Sequence, residues 1–109
     1  MNHLQGTVEA GGRVRVGNQS LPIDGPVPAV GTVVQALVRP EAVKVAAAQN
    51  APTVVAAATF RGATTRLRLL AADGTEVLAD LASHQAGALG AGAQVSMTLL
   101  DRPVLLAAQ

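Results

Sequence analysis

The chain has no cysteine, tryptophan or tyrosine, and a single aromatic side chain, Phe60, among its 109 residues. The lack of cysteine excludes disulfide scaffolds and thiolate metal sites, and it is compatible with a reducing compartment. Because half of the residues are hydrophobic, we expect a core of Val, Leu and Ala with Phe60 as its one large ring. The length predicts a single domain over residues 1–109.

Charge is also scarce, since eight basic and seven acidic residues leave a net charge of +1. This balance argues against electrostatic attraction to nucleic acid or to an anionic membrane. Proteins that bind single strands stack bases on aromatic side chains in a basic groove, and this sequence favours neither feature. The longest uncharged apolar run, residues 45–60, is too short and too interrupted to span a bilayer. Without a signal pattern at the N-terminus, we expect a cytoplasmic protein with no direct membrane insertion.

Short runs rich in β-branched residues are separated by glycine and proline, and this pattern predicts an all-β fold. Residues 64–71 alternate in a way that directs Arg66 and Arg68 outward and the leucines inward. The pair Asp73-Gly74 predicts the hairpin that follows. Many short strands of this kind indicate a small barrel or sandwich. The predicted strands are residues 6–9, 13–16, 19–23, 32–38, 42–47, 53–60, 64–71, 75–80, 93–100 and 103–107.

Two segments carry a helical signal. Residues 81–89 place Leu81, Gln85 and Leu89 four apart, which predicts a short helix there. The run Ala56-Ala57-Ala58 favours a helix by propensity. We predict a strand for this second run, because β-branched residues flank it on both sides.

The segment Arg39-Pro40-Glu41 interrupts a strongly strand-like region. Proline removes one donor from a strand ladder, so the strand must end, bulge or lie at an edge there. At such a break, Arg39 can bond freed carbonyl groups and Glu41 can accept freed amides. We therefore expect a structural role for these two side chains ahead of direct ligand contact.

Four arginines fall into two pairs that each share a strand face, Arg13 with Arg15 and Arg66 with Arg68. The simplest interpretation is a solvated sheet face. The sharper hypothesis is an anion site or a partner-facing patch, because arginine forms directional bonds with carboxylates.

A nucleotide site is excluded by the residues that follow a P-loop-like glycine spacing. Gly12 and Gly17 have that spacing, but Asn18 and Gln19 stand where phosphate and Mg²⁺ binding need Lys and then Ser or Thr.

Catalytic and metal sites are not predicted either. Ser83 and His84 are adjacent, and adjacent side chains point apart, so they do not assemble a hydrolase triad with Asp80. The two histidines, His3 and His84, have no acidic residue at ligand spacing, and a catalytic zinc needs three protein ligands. We expect no catalytic residue, no metal and no cofactor.

Arg39-Pro40-Glu41 resembles the signature of the TOBE domain, a small OB-like β module. The resemblance extends along the chain: residues 2–8 are similar to the family's entry strand, Phe60-Arg61-Gly62 to its Phe-x-Gly step, residues 64–69 to the strand after it, Asp73-Gly74 to the following turn, residues 92–95 to the Gly-x-x-Val that opens a late strand, and residues 101–106 to the last strand. In the resembling family, this module forms the C-terminal part of ATP-binding subunits of bacterial ABC importers.

The resemblance implies a non-catalytic accessory domain that supports pairing of two ATP-binding subunits and senses substrate or a regulator. The chain would then be a segment of a longer subunit, cytoplasmic and peripheral to the inner membrane through the transporter's membrane subunits. It also implies a homodimer. Residues 53–59 and 93–100 carry no charge, and either stretch would offer a flat apolar surface to a second copy if it lay at a sheet edge.

An alternative from another class is a free-standing protein that binds molybdate- or tungstate-type oxyanions. Residues 2–8 also resemble the opening of that family, whose sites use backbone amides with Ser, Thr or Lys at subunit interfaces. A third alternative, an OB-fold nucleic-acid binder, is disfavoured by the composition.

Overall fold

The computed structural model describes residues 1–107 and contains ten β-strands in that range. A single turn of 3₁₀ helix, Pro40–Ala42, separates the fourth strand from the fifth. The described strands form two antiparallel sheets, with a parallel bridge between Ile23 and Val104 outside them, and the predicted all-β fold is confirmed. The strands are β1 (Asn2–Glu9), β2 (Arg13–Val16), β3 (Gln19–Pro22), β4 (Val33–Val38), β5 (Val43–Ala47), β6 (Thr53–Arg61), β7 (Thr64–Leu70), β8 (Glu76–Ala82), β9 (Gln94–Leu99) and β10 (Leu105–Leu106).

The chain divides into two compact units, of which the first comprises residues 1–38 together with the residues from 101 on. Its sheet has the strand order β10-β4-β1-β2-β3. Along β1 every second side chain is buried, as a strand with one covered face requires. Buried Leu4, Val8, Val14 and Leu21 build the core of this unit.

The second unit comprises residues 39–100, and its sheet has the order β5-β9-β6-β7-β8. The edge strands β5 and β8 contact each other, so the sheet curls into a half-barrel, consistent with an OB-like fold. Leu67 and Leu69 of β7 are fully buried while Arg68 is exposed, which confirms the predicted alternation. The remaining core of this unit is aliphatic: Val43, Val55, Val77, Ala79 and Val95.

Strand β6 is paired unequally on its two sides. It pairs with β7 along its whole length, with a bulge between Val55 and Ala57. Its pairing with β9, in contrast, covers only Thr53 and Val54. The alanine run is therefore a strand, as predicted. Both uncharged stretches lie inside the strand order, but no other strand of residues 1–107 pairs with the outer side of the second half of β6.

Two sequence predictions are wrong. Phe60 is 74% exposed and does not anchor the core, because it lies near the end of β6 beside the hairpin, on a part of the strand that pairs with β7 alone. Residues 81–89 do not form a helix, since Leu81 lies in β8 opposite Thr65 and the following residues form turns. Pairing with β7 outweighs the helical spacing of this segment. Within residues 1–107, no helix has the length and apolar character needed to cross a membrane.

Candidate regulatory segment and surface groove

The segment Arg39-Pro40-Glu41 forms the link between β4 and β5. Arg39 stays extended, with φ −71° and ψ 144°, as expected for a residue before proline. Pro40 then opens the 3₁₀ turn, where its missing N–H costs nothing. The Ala42 amide donates to the Arg39 carbonyl over 2.9 Å, and the Val43 amide donates to the Pro40 carbonyl. The predicted strand break is thus confirmed as a strand end followed by a tight turn.

The side chains of this segment alternate between buried and exposed. Pro40 and Ala42 are buried and the segment packs against β8, whereas Arg39 and Glu41 are exposed. Neither exposed side chain hydrogen-bonds the freed backbone within residues 1–107, because the turn pairs those groups with one another. The expected structural role of these two side chains is not seen in these backbone bonds and stays a prediction. Any regulatory role of the exposed pair stays a prediction.

Glu41 acts electrostatically on an ion pair of the same unit. The Arg66 guanidinium binds the Asp80 carboxylate through two hydrogen bonds, Nε to Oδ1 at 2.7 Å and Nη2 to Oδ2 at 2.9 Å. The bond to Asp80, together with the negative charges of Asp80 and Glu41, raises the pKa of Arg66. The same bond lowers the pKa of Asp80, although partial burial acts in the opposite direction. The arrangement stabilises charge but holds no group poised for acid or base catalysis.

The other arginines of the predicted patch also face carboxylates, although Arg13 and Arg15 belong to one unit and Arg66 and Arg68 to the other. Arg15 donates to Glu9 over 2.8 Å, and Arg68 donates to Glu76 over 3.0 Å. The hydrogen bond from Arg15 lowers the pKa of Glu9.

Arg13 contacts two residues, Ser20 and Asp101. It bonds the hydroxyl and the carbonyl of Ser20, each over 2.9 Å, and lies 3.7 Å from the Asp101 carboxylate. The four guanidinium groups are thus partly neutralised within the chain. An anion site or partner patch at these residues stays a prediction.

A groove of about 410 Å³, with a mostly apolar lining that includes a few polar side chains, lies in the second unit and was not predicted from the sequence. Lys44 of β5 is directly opposite Thr98 of β9, and Ala46 is opposite Ser96, so these four residues share one sheet face. Their hydrophilic members contribute an ammonium group and two hydroxyls, and no carboxylate lines the groove. The lining residues are Lys44, Val45, Ala46, Leu81, Gln85, Ser96 and Thr98.

The donor set of this groove is suited to a small anion, because ammonium, hydroxyl and amide groups all donate hydrogen bonds. The signal in the sequence was weak: Lys44 is the only lysine, and the polar residues come from strands far apart along the chain. Because a helix was predicted for residues 81–89, the sequence did not indicate that Leu81 and Gln85 lie beside Lys44 in this groove.

The residues considered for a triad do not assemble one. The Ser83 hydroxyl donates to the Gly62 carbonyl over 2.6 Å and lies 2.9 Å from the Thr65 hydroxyl, so it joins the end of β8 to the hairpin between β6 and β7. Asp80 is committed to Arg66. Across the described part of the chain, no group of three potential metal ligands occurs.

Comparison with known protein families finds a match that includes the segment Arg39-Pro40-Glu41. The model of the TOBE domain matches residues 36–106, from within β4 to the end of β10. The match includes Arg39-Pro40-Glu41 but does not reach residues 2–8, whose similarity to the family's entry strand stays a prediction. No curated protein matches the chain in sequence. Because the family match covers more than half of the 109 residues, the chain belongs to the TOBE domain family.

Proposed function

We propose that this chain is the accessory domain of an ATP-binding subunit of a bacterial ABC importer, where it supports the pairing of two such subunits. The observation that carries this proposal is the family match across the Arg39-Pro40-Glu41 turn, because TOBE domains are non-catalytic regulatory or accessory domains of ABC transporter ATPases. Hydrolysis of ATP would belong to an ATPase domain of the same subunit. The domain would be cytoplasmic and would reach the inner membrane through the transporter's membrane subunits.

The geometry of the signature supports a role in sensing a partner or a regulator. The buried Pro40 and Ala42 fix the turn, while Arg39 and Glu41 extend into solvent with opposite charges. Since the turn satisfies its own backbone, these two side chains are available to a second protein or to a substrate signal.

The coding region that carries this sequence tests the proposal directly. An ATPase domain in the same reading frame supports it, and an isolated gene among unrelated neighbours contradicts it. In the complete transporter, replacing Arg39 and Glu41 together by Ala should alter substrate-dependent ATPase activity. Arg102→Ala removes another exposed cation and serves as the matched control, with no change expected.

The groove at Lys44 favours a second candidate function, binding of a molybdate- or tungstate-type oxyanion. Lys44, Ser96 and Thr98 are the residue types that such sites use, and they lie on one face of the β5–β9 pair. Calorimetric titration with molybdate tests this candidate. Lys44→Gln should weaken binding about tenfold or more, as expected for loss of a charged donor. Arg61→Gln, outside the groove, should leave it unchanged, and no heat of binding in the wild type contradicts the candidate.

A further inference from the structure

Strand β6 leaves its neighbour early and exposes one side. The Val55 amide donates to the Ala93 carbonyl, and the Gly92 amide donates to the Val55 carbonyl. Beyond Val55 the bulge redirects the strand, and residues 56–61 pair with β7 alone. Within residues 1–107, no other strand covers this outer side.

The hairpin identifies which backbone groups point outward. Gly62, with φ 77°, and Ala63 join β6 to β7 as a two-residue turn, and glycine at the first central position is typical of type II′. In such a hairpin the closing pair, Arg61 with Thr64, exchanges hydrogen bonds. Because bonded and non-bonded pairs alternate along an antiparallel ladder, Ala58 and Phe60 direct their N–H and C=O groups away from β7.

The side chains of these residues extend the core face of the sheet without being covered. Ala58 is opposite Leu67, and Phe60 is opposite Thr65, and both β7 residues are buried. Ala58 and Phe60 themselves are exposed, Phe60 by 74%. Native edge strands are usually protected by charge, proline or a bulge placed on the open part. Residues 57–60, which lie past the bulge, contain no charge and no proline, so this part of the edge is suited to accept another strand.

We propose that residues 57–61 of β6 pair with the same residues of a second copy, antiparallel and around a two-fold axis at Thr59. This inference rests on the proposed accessory function and names the surface that would pair two subunits. In this register, Ala58 of each copy exchanges both backbone bonds with Phe60 of the other, giving four hydrogen bonds. In any other symmetric register, Ala58 of one copy is not opposite Phe60 of the other, and these four hydrogen bonds are not all formed.

The register is also compatible with the side chains. Thr59 meets its own copy in a non-bonded pair, where threonine pairs are favourable. Phe60 lies beside Ala58 of the second copy on the uncovered core face, and Arg61 faces Ala57, so no like charges are opposed. An isologous contact of this kind closes after two copies and does not continue into a fibre.

Single cysteines test the register, because the chain has none of its own. Opposed residues of a non-bonded pair lie about 4.5 Å apart between Cα atoms, within the range of a disulfide. We expect Thr59→Cys to form an oxidised dimer about ten times faster or more than Ala57→Cys. The matched position is Ala57, whose two copies would be separated by roughly 14 Å along the paired strands.

Sedimentation of the full chain provides the second measurement. Thr59→Lys opposes two like charges on the axis and should raise the dimer dissociation constant about tenfold or more. Gln35→Lys adds the same charge at an exposed position of β4, outside both β6 and the groove, and should not change it. A wild type that stays monomeric at high concentration overturns the inference. A dimer in which Thr59→Cys has no advantage also overturns it, whereas the coding-region test of the importer role stands separately.

Discussion

Arg66 and Asp80 are directly opposite each other on β7 and β8, and their side chains are joined by two hydrogen bonds of 2.7 and 2.9 Å. Both side chains are partly shielded from water, with 29% and 20% of their surface exposed. A two-bond contact between guanidinium and carboxylate fixes geometry as well as charge. It therefore sets the register of the hairpin on the face opposite to the core.

This ion pair predicts a dependence of stability on pH. The bond from Arg66 lowers the pKa of Asp80 in the folded state, so its contribution is complete above the unfolded aspartate pKa of about 3.9. The contribution is lost as the pH falls through the lower folded value. We expect Asp80→Asn to lower the melting temperature at pH 7, with the difference from wild type shrinking toward pH 2.

A matched substitution controls for the loss of a carboxylate. Asp24 is exposed and makes no ion pair with the described residues. Asp24→Asn should therefore not reduce the pH dependence in the way that Asp80→Asn does. A difference between Asp80→Asn and wild type that is constant from pH 7 to pH 2 would contradict the assignment.

Leu67 and Phe60 should differ sharply in their contribution to stability. Leu67 is fully buried, and Leu67→Ala should lower the free energy of unfolding by about 2–5 kcal/mol. Phe60 is exposed, so Phe60→Ala should change it by about 0.5 kcal/mol or less. Urea unfolding at low protein concentration measures both, because any self-association at β6 would otherwise add to the Phe60 effect. Equal losses for the two variants would refute the placement of Phe60.

Gly6 is required by the close approach of β1 and β2. A Cβ atom at this position would lie 2.8 Å from the Arg15 carbonyl oxygen and 2.8 Å from a methyl group of Val14. Because the backbone oxygen has little room to move, Gly6→Ala should cost roughly 1–3 kcal/mol in thermal or urea unfolding. Gly87→Ala meets nothing within 4 Å and is the control, for which a comparable loss would be unexpected.

The chain should neither bind nor hydrolyse ATP. The glycine spacing that ends at Gly17 is followed by Asn18 and Gln19, which supply neither the cation nor the hydroxyl that phosphates and Mg²⁺ require. Isothermal calorimetry with Mg²⁺ and ATP should give no binding heat at micromolar protein. A measurable micromolar affinity would show that a nucleotide site exists elsewhere in the chain.

Local signals were sufficient to predict most of the strands and the break at Pro40. The alternation in β7 and the removal of one ladder donor by proline are local properties, and the structure shows both. Exposure of Phe60 was not predictable in this way. Hydrophobic character indicates a preference for burial, but the end of a strand next to a hairpin offers no neighbours to cover the ring.

The ion-pair partner of Arg66 could not be predicted from the sequence, because it depends on the length of the turn between β7 and β8. A two-residue turn at Asp73-Gly74 would put Arg66 opposite Leu81. Instead the Ala71 amide bonds the Thr75 carbonyl over 2.9 Å, the Asp73 carboxylate accepts the Thr75 amide, and the loop is longer. A shift of one residue transfers a whole strand face, so the partner of Arg66 depended on a turn length that the sequence left open.

The groove at Lys44 depended on long-range pairing. Lys44 and Thr98 are opposite each other only because β5 and β9 pair across more than half of the second unit. The signature Arg39-Pro40-Glu41, in contrast, was recognisable as a contiguous segment. The turn could therefore be predicted from neighbouring residues in the sequence, whereas the groove could be found only from the folded structure.

The split composition of the first unit has a consequence for the order of folding. Its sheet takes β10 from the residues after 100, whereas residues 39–100 form an uninterrupted stretch whose two ends are joined by the bond from the Leu100 amide to the Ala42 carbonyl. During synthesis, this stretch is complete before β10 leaves the ribosome. The pairing of Leu105 with Leu37 closes a loop around this stretch, and the entropic cost of that closure is much smaller when the stretch has already folded than for an open chain of the same length.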